Sequence, residues 1–481
     1  MLFNSIDFAI FLPIVFILYW FVTNKSLKLQ NLLIVGASYL FYGWWDWRFL
    51  SLILFSSLVD YIVGLGLLNE ENQSKRKVLL WTSIVINLGF LCVFKYYNFF
   101  LTNFITAFSF FGGEIKANSL DIILPVGISF YTFQTLSYSV DVYKGKLKPT
   151  KDFIAFSAFV SFFPQLVAGP IERATHLLPQ FYKRRTFDYS KAVDGLRQIL
   201  WGLFKKIVIA DNCAEYANII FNNSAEYSGS ILVLGAIFFT LQIYGDFSGY
   251  SDIAIGTSRL FGFDLMQNFN FPYFSRDIAE FWRRWHISLS TWFRDYLYIP
   301  LGGSHGGTWM KIRNTFIIFI VSGFWHGANW TFIIWGLLNA IYFLPLLLTN
   351  NNRNNLDTVA QGKLFPSLKE LSFILLTFAM TVLAWIFFRA ENIEHALQYI
   401  SSIFKNPNSF VSLGIYWKYK TIILLISIFI AIEWFGRDGQ YAIARLGLSW
   451  KLPFRYLLYY ALIFTIFWFG GKEQQFIYFQ F

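Results

Sequence analysis

Residues 281–307 read FWRRWHISLSTWFRDYLYIPLGGSHGG and, after a short link, residues 314–330 read NTFIIFIVSGFWHGANW. Each half carries a Trp–His pair, Trp285–His286 and Trp325–His326. The second pair decides the fold class. His326 stands in an apolar run from Phe316 to Leu348 that holds no Asp, Glu, Lys or Arg, longer than the roughly 17–25 residues a helix needs to cross a bilayer. A titratable side chain in such a span is expensive and by default marks function. A structural histidine, hydrogen-bonded to a neighbouring helix, is the plainer alternative. His286 keeps different company, just after Arg283–Arg284 and ahead of Arg294–Asp295.

The same signature recurs along the chain. Of its 481 residues 56% are hydrophobic and 21% aromatic, with 14% charged, against roughly 25% charged in an average soluble domain. Apolar stretches follow one another from 6–22 to 455–470. We read an all-α polytopic integral membrane protein with about 11–12 transmembrane helices plus re-entrant or interfacial helices. It forms a single membrane-embedded domain over 1–481, with a catalytic core over about 120–349. The net charge of +11 raises nucleic-acid binding. The cations fall instead in short loops between apolar runs, as expected beside anionic lipid. The membrane is therefore the expected partner, and nucleic acid is not.

Basic loops follow the first, third and fifth spans, with Lys25 and Lys28, then Lys75–Lys77, then Lys144, Lys146, Lys148 and Lys151. The loops after the second and fourth are poor in Lys and Arg. This alternation puts the N-terminus outside. The stretch 153–170, FIAFSAFVSFFPQLVAGP, has basic loops on both flanks, Lys205 and Lys206 counted in the second. Pro164, Gly169 and Pro170 break it. Broken backbone at membrane depth must be buried in protein or line a cavity, so this stretch reads as re-entrant. The first span lacks a basic n-region and a cleavage site and reads as retained. Cys92 and Cys213 have neither disulfide nor metal spacing and read as buried small hydrophobes.

Residues 276–296 are helical in period, with Phe281, Trp285, Leu289 and Trp292 on one face and Trp282, His286, Leu289 and Phe293 on the next. This segment is either an interfacial anchor or one wall of a reaction centre. Two histidines on different segments suit proton transfer, since an unperturbed imidazole titrates near pH 6.5. A metal site would want a third ligand at closer spacing, so none is expected. Asp246 and Asp252 do not share a helical face and read as structural. Gly302, Gly303, Gly306 and Gly307 around His305 lack the Lys-Ser/Thr of a phosphate loop. His176 and His395 read as solvated. No Gly-x-Ser-x-Gly elbow and no cysteine near either histidine points to a covalent enzyme.

The stretches ILPVGISFYTFQTLSYSVDVYKG (123–145), FFPQLVAGPIER (162–173), YGDFSGYSDIAIG (244–256), RDIAEFWRRWHISLSTWFRDYLYIPLGG (276–303) and GFWHGANWTFIIWG (323–336) together resemble the membrane-bound O-acyltransferase family. The resemblance is to its bacterial branch, which acts in alginate O-acetylation, peptidoglycan O-acetylation and teichoic-acid D-alanylation, and within that branch to the alginate-type acetyltransferases. It implies a ring of spans around a thinned centre with a cytoplasmic funnel. It implies His326 as the catalytic histidine and His286 as the second active-site position. Trp285, Trp325, Arg283, Arg284 and Asn329 are candidate donor- or substrate-binding residues, the two arginines on charge alone.

By the same resemblance no cofactor is bound, and acetyl-CoA is the expected acyl-donor substrate. An SGNH-type acetyltransferase or acceptor protein and an exported polysaccharide are the expected partners. The bacterial inner membrane is the expected location, and the aromatic tail FIYFQF (476–481) is a candidate docking element for the partner protein. A transporter without chemistry is the rival of another class, since Gly/Pro-broken helices also line transport sites.

Overall fold

The computed structural model describes residues 1–113, 117–405, 413–470 and 474–477, with side chains from 419 onward in the third of these stretches. Among them the regular structure is helical throughout. The contacts divide into two compact units, Met1–Ala192 with Thr257–Met266, and Val193–Gly256 with Gln267–Phe481.

The first unit holds α1 Ile6–Ile17, α2 Leu27–Asp46, α3 Leu50–Leu68, α4 Gln73–Leu91, α5 Tyr97–Phe110, α6 Ile128–Tyr143, α7 Phe153–Ser161 and α8 Ala174–Leu177. Asp152 caps α7 by accepting from the backbone N–H groups of Ile154 and Ala155. α7 is buried from Ala155 on, as is the broken chain that follows it, which is the burial a re-entrant element requires. Side chains satisfy its backbone. Gln134 donates to the Phe159 carbonyl at 2.6 Å, and the Phe163 N–H donates to Ser38. In the same unit a buried carboxylate on α3, Asp60, accepts from Ser83, from Ser139 at 2.6 Å and from Asn87 at 2.8 Å.

The second unit holds most of α9 Tyr189–Leu203 and of α11 Gly229–Leu260, with α10 Asp211–Asn222 between them. It continues with α12 Ile278–Arg284, α13 Ile287–Phe293, α14 Gly307–His326, α15 Trp330–Leu348, α16 Leu368–Arg389, α17 Ile393–Lys405, α18 Leu413–Gly436 and α19 Leu452–Phe469. Lys205 and Lys206 are not loop residues. They lie on a helical turn between α9 and α10, both buried. Lys205 pairs with Asp252 at 2.6 Å, and Lys206 pairs with Asp246 and Asp211 at 2.8 Å each. A buried ammonium is tolerable when it meets carboxylates in this way.

Among the described residues seven helical stretches are long and apolar enough to cross a bilayer: Leu27–Leu68, Gln73–Phe110, Gly229–Leu260, Trp330–Leu348, Leu368–Arg389, Tyr419–Gly436 and Leu452–Phe469. That is fewer than the eleven to twelve expected. Two of them merge in Leu27–Leu68, broken at Asp46, whose backbone is extended at φ −157. The first apolar helix runs only over Ile6–Val22, α6 has 16 residues, and α14 opens on Lys311 and Arg313. Cys213 is buried as expected, whereas Cys92 is exposed, because its helical turn follows α4 on a lightly buried stretch.

Candidate active site

The continuous helix expected over 276–296 is broken at the histidine. Asp277 caps α12, which ends at Arg284, and α13 begins at Ile287. Between them His286 adopts φ 44 and ψ 54, in the left-handed region. That conformation costs an L-residue with a Cβ about 1–2 kcal/mol and persists only where the surroundings over-determine it. Here the chain on either side is pinned. The Asn270 N–H donates to the Arg284 carbonyl and the Ile287 N–H to the Asn268 carbonyl, both at 2.9 Å. The helical period is therefore real on each side of the histidine and interrupted at it.

The turn leaves His286 1% exposed. Its ring lies 4.7 Å from that of Phe247, 6.0 Å from Trp325 and 6.5 Å from His326, centroid to centroid. Burial pushes its pKa down to about 3, so at neutral pH the imidazole is uncharged, with one nitrogen a donor and the other an acceptor.

His326 is the last residue of α14. Gly327, Ala328 and Asn329 turn the chain into α15. There Asn329 is the cap, accepting from the Thr331 N–H and donating to the Glu391 carbonyl at 2.8 Å. Two glycines let the helices of this hairpin touch. A Cβ on Gly323 would stand 2.2 Å from the Phe332 carbonyl oxygen, and one on Gly336 2.3 Å from that of Phe319. The approach sets the His326 ring 4.9 Å from Trp325, 5.1 Å from Trp335 and 5.3 Å from Phe388.

An aromatic circuit closes around the pair. Trp335 stacks on Trp385 at 5.5 Å, Trp385 meets Trp285 at 5.1 Å, and Trp285 meets Phe269 at 5.0 Å. Phe269 then meets Phe247 at 4.9 Å. Offset and edge contacts at these separations contribute about 0.5–1.5 kcal/mol each beyond area burial, enough to fix both imidazoles.

Thus His286, His326, Trp285 and Trp325 belong to one cluster. Arg283, Arg284 and Asn329 do not reach into it. Arg283 donates to the carbonyls of Asn352 and Asn355 at 2.7 Å each. Arg284 pairs with Glu280 at 3.0 Å and donates to the Asp357 carbonyl. Both guanidinium groups pin the 350–357 loop to α12. Of the other histidines, His176 lies 2.7 Å from the buried carboxylate of Glu172, a hydrogen bond that raises its pKa. His395 stands 3.5 Å from Ser224, and His305 sits in the glycine-rich turn.

Sequence reasoning passed over three residues beside the cluster. Glu433 is a buried carboxylate on α18 that accepts from Tyr244 at 2.6 Å and from Trp201 at 3.2 Å; Tyr244 in turn packs on Trp285. A lone acid in the apolar stretch 421–435 is the signal that points to it. Asn268 and Ser251 bond to each other at 3.0 Å, and nothing in their local sequence marks them. The tail also differs from expectation. Phe476 is buried 5.0 Å from Tyr250, and the Ile477 N–H donates to Asp246, so these two residues are packed inward rather than displayed for docking. Residues 478–481 of that docking element lie outside the described residues.

Residues 150–363 match the profile of the membrane-bound O-acyltransferase family. A protein of Azotobacter vinelandii named "Probable alginate O-acetylase AlgI" is 40% identical over 407 residues, covering 84% of this chain and 78% of the relative. Its namesake in Pseudomonas aeruginosa is 40% identical, with 84% of this chain and 75% of the relative covered. The "Peptidoglycan O-acetyltransferase" of Helicobacter pylori is 36% identical over 432 residues, with 84% and 80% covered.

Proposed function

Since this chain belongs to the membrane-bound O-acyltransferase family, and is an O-acyltransferase of multi-pass membrane type, we propose that it carries acetyl groups out of the cytoplasm for O-acetylation of an exported polysaccharide, alginate or a polymer like it. The donor is a cytoplasmic thioester, acetyl-CoA, and no cofactor takes part. The observation that carries this reading is the meeting of two buried histidines from separate helices, 6.5 Å apart in one aromatic cage. A water-poor cage strengthens every polar interaction inside it, and two titratable rings held side by side in one are placed for proton transfer.

In the proposed step the acceptor hydroxyl attacks the thioester carbonyl while His326 takes its proton. The C–O bond forms, the C–S bond breaks, and the proton passes from His326 to the departing thiolate. General base catalysis of this kind contributes roughly 10²–10⁴-fold. His286, neutral, donates a hydrogen bond to the carbonyl oxygen as negative charge builds there. Trp285 and Trp325 wall the donor and exclude water. Arg283, Arg284 and Asn329 hold the scaffold around them. The whole of 1–481 works as one acyltransferase domain in the bacterial inner membrane, with its core over about 120–349. An extracytoplasmic SGNH-type protein receives the acetyl group and passes it to the polymer.

The acetyl content of the exported polysaccharide, compared between wild type and His326→Ala at matched membrane levels, tests the proposal. Loss of acetyl with unchanged polymer yield is the expected result. Normal acetylation removes His326 from the chemistry, and loss of the polymer itself points to export. Acetyl missing from peptidoglycan instead would assign the acceptor named for the Helicobacter pylori relative.

A further inference from the structure

We propose that Asn268 is a positioning residue for this reaction, a clamp that holds the left-handed turn at His286 so that its ring faces His326. The inference rests on the role given above to His286. Asn268 spends four hydrogen bonds on that turn and its anchor. Its carbonyl accepts from the Ile287 N–H at 2.9 Å. Its side-chain Oδ1 accepts from the Ser288 hydroxyl at 2.9 Å and from the Ser288 N–H at 3.4 Å. Its Nδ2 donates to the Ser251 hydroxyl on α11 at 3.0 Å. The residue is 0% exposed, so no water substitutes for any of these partners.

An amide matches the partners at this place. The turn presents an N–H and an O–H, both donors, and α11 presents a hydroxyl that can accept. An amide, with an acceptor at one end and a donor at the other, joins them as they stand, leaving the Ser251 hydroxyl hydrogen for another acceptor. A carboxylate would lose the donor, and an aliphatic side chain would lose both. α11 also supplies Phe247, whose ring lies 4.7 Å from His286. The clamp therefore ties the His286 backbone to the helix that walls its ring. Without the Asn268 side chain, only the backbone bonds from Asn270 to Arg284 and from Ile287 to Asn268 hold the φ of 44, and relaxation toward the ordinary helical region carries the imidazole away from His326. Asn268 acts through the Ile287 and Ser288 N–H groups and the Ser288 hydroxyl.

The test is a kinetic comparison of acetyl transfer from acetyl-CoA by membranes holding the full-length protein at matched levels. Variants are Asn268→Ala, Asn268→Asp, Ser251→Ala, Ser288→Ala and His286→Ala. A clamp on geometry predicts that Asn268→Ala lowers kcat roughly tenfold or more, with KM for acetyl-CoA nearly unchanged, since small misplacements of a reacting group carry penalties of this order. Asn268→Asp, which keeps the acceptor, recovers part of the loss, and the two serine variants lose a few-fold each. A wild-type kcat in Asn268→Ala overturns the inference. If that variant fails to accumulate, the serine variants decide, because each removes a single hydroxyl; wild-type kcat in both overturns it equally. His286→Ala separates the two levels of argument. Full activity there defeats the role given to His286, whereas an inactive His286→Ala beside a fully active Asn268→Ala defeats the clamp alone.

Discussion

At the residue scale the distinctive feature is a histidine in a backbone conformation that favours glycine. Ordinarily a glycine in place of alanine destabilises by roughly 0.5–1 kcal/mol through lost chain entropy. At φ 44 the order reverses, because the alanine Cβ carries the left-handed penalty of about 1–2 kcal/mol. His286→Gly should therefore melt at a higher temperature than His286→Ala in a thermal-shift measurement on detergent-solubilised protein, with neither variant transferring acetyl groups. Alanine melting higher would mean that the turn is not left-handed. The sequence reveals this histidine as a polar intruder among aromatic residues, and so as a candidate, but not its conformation. Backbone angles at one residue depend on what the next segment bonds to. Here the bonding comes from Asn268 and Asn270, in a stretch of mixed polarity without period.

At the element scale the α14–α15 hairpin delivers His326, and its legibility was uneven. The apolar run 316–348 is longer than one crossing needs, and the structure divides it at a turn closed by the cap at Asn329. The closeness of the two helices is readable only in hindsight from Gly323 and Gly336. A glycine in a membrane helix marks either a kink or a contact, and nothing local separates the two. With the Phe332 carbonyl oxygen 2.2 Å from the Cβ position, Gly323→Ala forces the helices apart at the turn that carries His326. Overpacking of this kind costs about 1–3 kcal/mol. We expect a lowered melting temperature and a several-fold loss of acetyl transfer together. Retained activity with lowered stability would show that the hairpin spacing does not set the histidine. The opposite lesson comes from residues 276–296, where a clean period concealed a break, because period reports which faces are buried and is silent on a single residue inserted between two short helices.

At the scale of the whole molecule, hydropathy read the class correctly and placed the charges less well. Composition and the recurring apolar runs are enough to require a helical membrane protein, since only helices satisfy their own backbone in long apolar segments of this kind. Lys205 and Lys206 read as part of a basic loop, yet they lie buried against Asp252, Asp246 and Asp211. One-dimensional reading cannot pair a cation with carboxylates such as Asp246 and Asp252, far along the chain on another helix. The consequence is testable as a double-mutant cycle. Asp252→Leu alone removes the carboxylate that directly pairs with the buried Lys205 ammonium, leaving it the Ser248 hydroxyl and the field of Glu433, at a cost on the order of 3–5 kcal/mol. Lys205→Met alone leaves the carboxylate the Gln198 amide as a donor but no paired cation among the described residues. The double variant removes both charges and replaces them with apolar bulk, which is often neutral for a buried pair. Its melting temperature should therefore recover most of the way to wild type, and a double variant no more stable than Asp252→Leu would mean that the two charges do not depend on each other.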